Sequence, residues 1–79
     1  MKIKLKLFAN LKKFLPYEPK EGFCEIEIQD NATVKDVLDR FNIPSEYSKI
    51  ILINGIHKRL DDKLKEGDTL SVFPPLAGG

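Results

Sequence analysis

An α+β fold, with a mixed sheet of four to five strands packed on one main helix, is the architecture these 79 residues predict. Three observations lead there. Two stretches in the first third alternate strictly between apolar and charged residues, one segment near the middle has a helical apolar period, and the second half carries a β-branched run and a further alternating stretch.

Lys2-Ile3-Lys4-Leu5-Lys6-Leu7-Phe8 alternates residue by residue, which predicts a strand with Ile3, Leu5 and Leu7 on the core and the lysines outside. Asn10 to Leu15 predicts a short helical turn before Pro16, with Leu11 and either Phe14 or Leu15 facing inward. Tyr17 to Gly22, which contains Pro19, reads as a loop. Phe23-Cys24-Glu25-Ile26-Glu27-Ile28 then alternates again. It predicts an antiparallel partner for the first strand, its glutamates across from the lysines. Cys24 shares the face of Ile26 and Ile28, so it reads as a small buried apolar residue rather than a reactive thiol.

Val34, Val37, Leu38 and Phe41 recur at i, i+3, i+4 and i+7, one apolar helix face. Thr33 is its natural N-cap, Asp36 completes a variant capping box, and Asn42 before Ile43-Pro44 supplies the stop. Ser45 to Ser48 reads as a turn. Ile50-Ile51-Leu52-Ile53 is too short for a helix and predicts a strand buried on both faces. Asn54-Gly55 is a favoured two-residue hairpin turn, followed by the short return strand Ile56-His57-Lys58. Leu60 and Leu64 bracket a turn and point inward. Glu66-Gly67-Asp68 then redirects the chain into the last strand, Thr69-Leu70-Ser71-Val72-Phe73, with Leu70 and Val72 inside.

One helix can cover one face of such a sheet, and a crossover through it places the first strand beside the last or beside the third, in parallel. These elements assemble as a β-grasp domain over residues 1–73, leaving residues 74–79 as a flexible tail. Phe73 would then point away from the helix. With one alternation of Ile50 to Ile53 it would form an apolar patch on the open face, a docking surface where a charge should weaken partner binding and leave stability nearly unchanged.

Composition excludes several classes. The 13 basic and 12 acidic residues leave a net charge of +1, no field for nucleic acid. No apolar stretch approaches the ~20 residues of a membrane span, and the start of the chain has no signal-peptide pattern, so a cytoplasmic protein with no membrane partner is expected. A single cysteine and a single histidine, Cys24 and His57, give no metal-ligand set and no catalytic set, and His57 reads as a surface residue. The chain is expected to bind no cofactor and to carry no catalytic residue.

The chemistry is expected in the tail. Pro74 and Pro75 cannot donate to a sheet ladder and hold an extended φ, so the strand stops and a stiff spacer leaves the body. Leu76 to Gly79 reaches roughly 13 Å when extended, enough to enter another protein's active site. Gly78 and Gly79 lack Cβ atoms and can thread a narrow channel. The carboxyl of Gly79, with an ordinary pKa of roughly 3.5, would be ionised at neutral pH and could attack the α-phosphorus of ATP.

The run from Leu64 to Gly79, LKEGDTLSVFPPLAGG, resembles the ubiquitin-like sulfur carriers, in particular the small subunit of molybdopterin synthase. Phe8-Ala9 with Leu11, and Asn54-Gly55, are similar as well. The resemblance implies that Gly79 is adenylated by a ubiquitin-activating-type adenylyltransferase using ATP, then converted to a thiocarboxylate that donates sulfur. It implies recognition of Pro74, Pro75, Leu76, Ala77 and Gly78 by the enzymes that receive the tail, and a sulfur-acceptor partner such as a molybdopterin synthase large subunit. The proline pair favours molybdopterin or tungstopterin synthesis over the thiamin carriers. Two other readings stand beside it: a ubiquitin-like modifier conjugated through Gly79 to target lysines, and a non-covalent adaptor with an incidental tail.

Overall fold

Alternation does produce the first strand, β1 (Lys2–Leu7), whose Ile3, Leu5 and Leu7 are buried. The computed structural model describes residues 1–48 and 50–75. A 3-10 turn over Ala9–Phe14 follows, burying Leu11, with Phe14 and Leu15 both half-buried against the core. Strand β2 (Cys24–Glu27) pairs antiparallel with β1, and Lys2 faces Glu27 and Lys4 faces Glu25 as the alternation requires. The register brings Lys4 to an additional partner, since its Nζ sits 4.9 Å from the centre of the Phe23 ring. Cys24 is fully buried and its Sγ donates to the Tyr17 carbonyl at 3.2 Å.

Helix α1 (Val34–Arg40) has both ends specified locally. The Asp36 amide donates to Thr33 Oγ1 at 3.2 Å, and the Thr33 amide donates to Asp36 Oδ2 at 2.9 Å, a complete capping box. At the other end Asn42 takes a φ of 59°, the Asn42 amide reaches Asp39 and the Ile43 amide reaches Leu38, which is a Schellman closure with buried Leu38 and Ile43 together in the core. On the exposed face Lys35 Nζ donates to Asp39 Oδ2 at 2.8 Å. The hydrogen bond and charge of Asp39 raise Lys35 above its ordinary 10.5, so the lysine is charged in the pair at neutral pH and its contribution is lost as pH climbs past that raised value.

Strands β3 (Ile50–Ile53) and β4 (Ile56–His57) form the predicted hairpin, with positive φ at Asn54 (52°) and Gly55 (82°), as a type I′ turn requires. Strand β5 (Thr69–Phe73) completes a sheet of order β2-β1-β5-β3-β4. β1 and β5 run parallel, so the first and last strands are central neighbours, and the other pairs are antiparallel.

Strand β3 departs from expectation. It is buried on one face only: Ile51 and Ile53 are inside, whereas Ile50 is 40% exposed and Leu52 half-buried. The physical reason is that α1 and the connecting segments supply one layer, so alternate residues of β3 meet the core and the others lie on the open face. Phe41 and Leu60 pack against the core from its margin, each half-buried.

Candidate docking face and tail base

The open face of the sheet divides into two zones. On β1 and β2, lysines and glutamates face each other. On β5 and β3 the outward residues are Ser71, Phe73, Ile50 and Leu52, with Ile50 directly opposite Phe73 and Leu52 opposite Ser71. Phe73 is half-buried there, and its ring stacks on Phe8 with centroids 4.1 Å apart and planes 8° from parallel. Phe8 continues the outward parity of β1 one residue beyond the strand, and its amide donates to the Val72 carbonyl at 3.2 Å. The patch is therefore Phe8, Phe73, Ile50 and Leu52, and Phe73 is tied into the body by its stack. Because of that stack, a charge at Phe73 should cost stability as well as alter the surface, where the alternation alone predicts a near-neutral substitution.

The strand ends where the prolines begin. Pro74 is half-buried and Pro75 exposed. Leu76, Ala77, Gly78 and Gly79 lie outside the described residues.

The start of β5 is held by a network that sequence reasoning missed. Asp68 is 9% exposed, and both its carboxylate oxygens are occupied: Oδ1 accepts from Asn54 Nδ2 at 2.9 Å and Oδ2 from the Lys65 amide at 2.8 Å. Asn54 Oδ1 in turn accepts from the Thr69 amide at 2.9 Å. Gly67, at a φ of 82°, gives the turn that lets its amide reach the Lys2 carbonyl at 2.8 Å, while the Asp68 carbonyl accepts from the Lys4 amide at 2.9 Å. The hairpin tip, β1 and the entry to β5 are locked together, so the strand that leads into Pro74 is registered at both ends. The signal was the recurrence of Asn54-Gly55 and Gly67-Asp68 in one resemblance, but only the fold shows that they touch.

His57 is exposed on β4 and Cys24 is sealed in the core; they lie on strands at opposite edges of the sheet. Among the described residues no group of three or more histidine, cysteine, aspartate or glutamate side chains could hold a metal ion, and no helix is long and apolar enough to cross a membrane.

A mixed five-stranded sheet grasping one helix, with a terminal strand at its centre, defines a ubiquitin-like β-grasp protein. The chain belongs to the Mut7-C ubiquitin family, whose model matches residues 1–77. Among solved structures it is similar to small archaeal modifier protein 1 of Haloferax volcanii, with 26% identity, a TM-score of 0.70 and coverage of 95% of this chain and 98% of that one. It is similar also to a putative molybdopterin converting factor, subunit 1, from Pyrococcus furiosus, at 26% identity, a TM-score of 0.68, and 95% and 98% coverage. The complex of subunits 1 and 2 of the molybdopterin-converting factor of Helicobacter pylori contains a chain of the same fold, at 22% identity and a TM-score of 0.59, both chains covered in full. No curated protein matches the chain in sequence. The resemblance to the ubiquitin-like sulfur-carrier group thus holds over nearly the whole chain.

Proposed function

We propose that this chain is a sulfur carrier that is itself a substrate, modified at Gly79 by other enzymes. The carrying observation is membership of a ubiquitin-like family over residues 1–77 together with similarity, at about a quarter identity over almost the full length, to a molybdopterin converting factor subunit 1. The fold supports the reading, because β5 sits in the middle of the sheet and runs straight into Pro74-Pro75.

In the proposed sequence the Gly79 carboxylate attacks the α-phosphorus of ATP in an adenylyltransferase, pyrophosphate leaves, and an acyl adenylate forms. Hydrosulfide-level sulfur then attacks the acyl carbon and AMP leaves, giving a thiocarboxylate. Its sulfur is the nucleophile toward an acceptor held by a second enzyme, of which a molybdopterin synthase large subunit is the favoured example. Pro74 to Gly78 would be read by both enzymes as an extended strand, and Phe8, Phe73, Ile50 and Leu52 would seat the body against them. Nothing in this scheme asks the chain to bind ATP or to catalyse a step.

Incubation with a cognate adenylyltransferase, ATP and a sulfur donor should replace one oxygen of Gly79 by sulfur in the intact mass, and deletion of Gly78-Gly79 should abolish the change with the fold retained. An unchanged mass with an active enzyme would overturn the proposal. Ile50→Lys is the cleaner probe of the docking face, since Ile50 is already 40% exposed. It should slow modification with little loss of stability. Similarity to small archaeal modifier protein 1 favours a second reading, conjugation of Gly79 to target lysines, which would appear as adducts that survive denaturant.

A further inference from the structure

The two edges of the sheet are treated differently. Lys2–Glu27 and Lys4–Glu25 are the wide pairs of the β1–β2 ladder, because the Ile28 amide bonds the Met1 carbonyl and antiparallel bonding alternates from there. The outward groups of β2 therefore belong to Glu25 and Glu27. Two are taken from within the molecule: the Glu25 amide donates to the Tyr17 hydroxyl at 3.0 Å, and the Glu27 carbonyl accepts from the Arg40 guanidinium. Tyr17 and Arg40 close that edge to an incoming strand.

Among the described residues β4 has no such cover. The Lys58 amide bonds the Ile51 carbonyl at 2.9 Å, so Leu52–His57 is the wide pair and the amide and carbonyl of His57 point away from β3, where no further strand follows among the described residues. Beside them Ile56 is 62% exposed, far more than any β-branched residue of the core. Lys58 and Arg59 follow directly, both exposed, and neither forms an ion pair among the described residues. Two copies joined edge to edge in antiparallel fashion through His57 would set Lys58 and Arg59 opposite Ile56 and Gly55 of the other copy and leave both cations without a partner, so a second copy gains nothing from them. An acidic strand would meet complementary charge.

We propose that the β4 edge, Ile56 to Arg59, is a docking site for an extended acidic segment of a partner protein, added as a sixth strand. The His57 amide and carbonyl form the ladder, Ile56 packs against an apolar side chain of the segment, and Lys58 and Arg59 pair with its carboxylates. The site lies on the outer strand β4, not on the central strand β5 that leads into the tail, and does not depend on Gly79.

The test uses the full chain, labelled with nitrogen-15, and a six-residue peptide alternating Glu and Val with blocked ends, compared with its Lys-for-Glu counterpart. Amide shifts confined to Ile56–Arg59 and their β3 neighbours are expected with the Glu peptide, weakening as salt is raised. His57→Pro removes the donor at an edge position where proline is compatible with a strand, and should weaken binding at least tenfold. The double variant Lys58→Glu, Arg59→Glu should reverse the preference toward the Lys peptide. Shifts centred on β2 or α1, equal binding of the two peptides, or no shift at millimolar peptide would overturn the proposal. The charge-reversed pair decides the matter even if His57→Pro fails to fold.

Discussion

Asn54 does two jobs at once. It adopts a positive φ at the tip of the β3–β4 hairpin, and its amide group joins buried Asp68 to the Thr69 backbone. Asn54→Gly keeps the turn and deletes both side-chain bonds; Asn54→Ala loses the bonds and also strains the backbone. Removing a donor from a buried carboxylate costs about 1–3 kcal/mol, so both variants should unfold at clearly lower denaturant, the alanine more than the glycine. Equal midpoints for parent and Asn54→Gly would show that the network contributes nothing. Thr33 and Asn42, by contrast, act on their own neighbours, which is why their roles were legible in the sequence. The partnership of Asn54 with Asp68 spans a turn, a strand and a loop, and no local pattern announces it.

At the scale of elements, strands that alternate declare their faces, and β1, β2 and β5 do so. β3 does not. All its residues are apolar, so the sequence identifies a strand but carries no inside and outside, and the assignment came from which face α1 covers. The stack of Phe8 on Phe73 was hidden for a related reason: it joins residues at the ends of two strands whose parallel pairing is set by the whole sheet. The tail, the most specific part of the sequence reading, rests on its residues and its family. The closed edge of β2 gives a prediction at this scale. Tyr17→Phe deletes the acceptor for the Glu25 amide, so hydrogen exchange at Glu25 should accelerate several-fold while global stability falls by only about 1 kcal/mol. An unchanged exchange rate would mean that water serves the edge as well as tyrosine does.

For the molecule as a whole, the core is small and its centre is the β1–β5 pair. A chain of this length buries only about 60% of its unfolded surface. Leu70 is fully buried and aligned with Leu5, so Leu70→Ala should cost about 2–5 kcal/mol, a large share of the total of about 5–15 kcal/mol expected for a domain. Denaturant titration should show a severe drop in the midpoint, and a loss below about 1 kcal/mol would place the centre of the core elsewhere. The same pair sets the order of events in folding. Leu5 and Leu70 lie at opposite ends of the sequence, so the sheet cannot close until nearly all the chain is available, and formation should be slow for its size.

The parallel alignment of β1 and β5 has a mechanical side. A pull applied to Pro75 against Met1 runs along both strands, so the bonds between them are loaded together in shear instead of being opened one after another like a zip. If the proposed function holds, an enzyme drawing the tail into a channel would tug on the most resistant direction of the sheet, and the body would serve as a rigid stopper at the channel mouth.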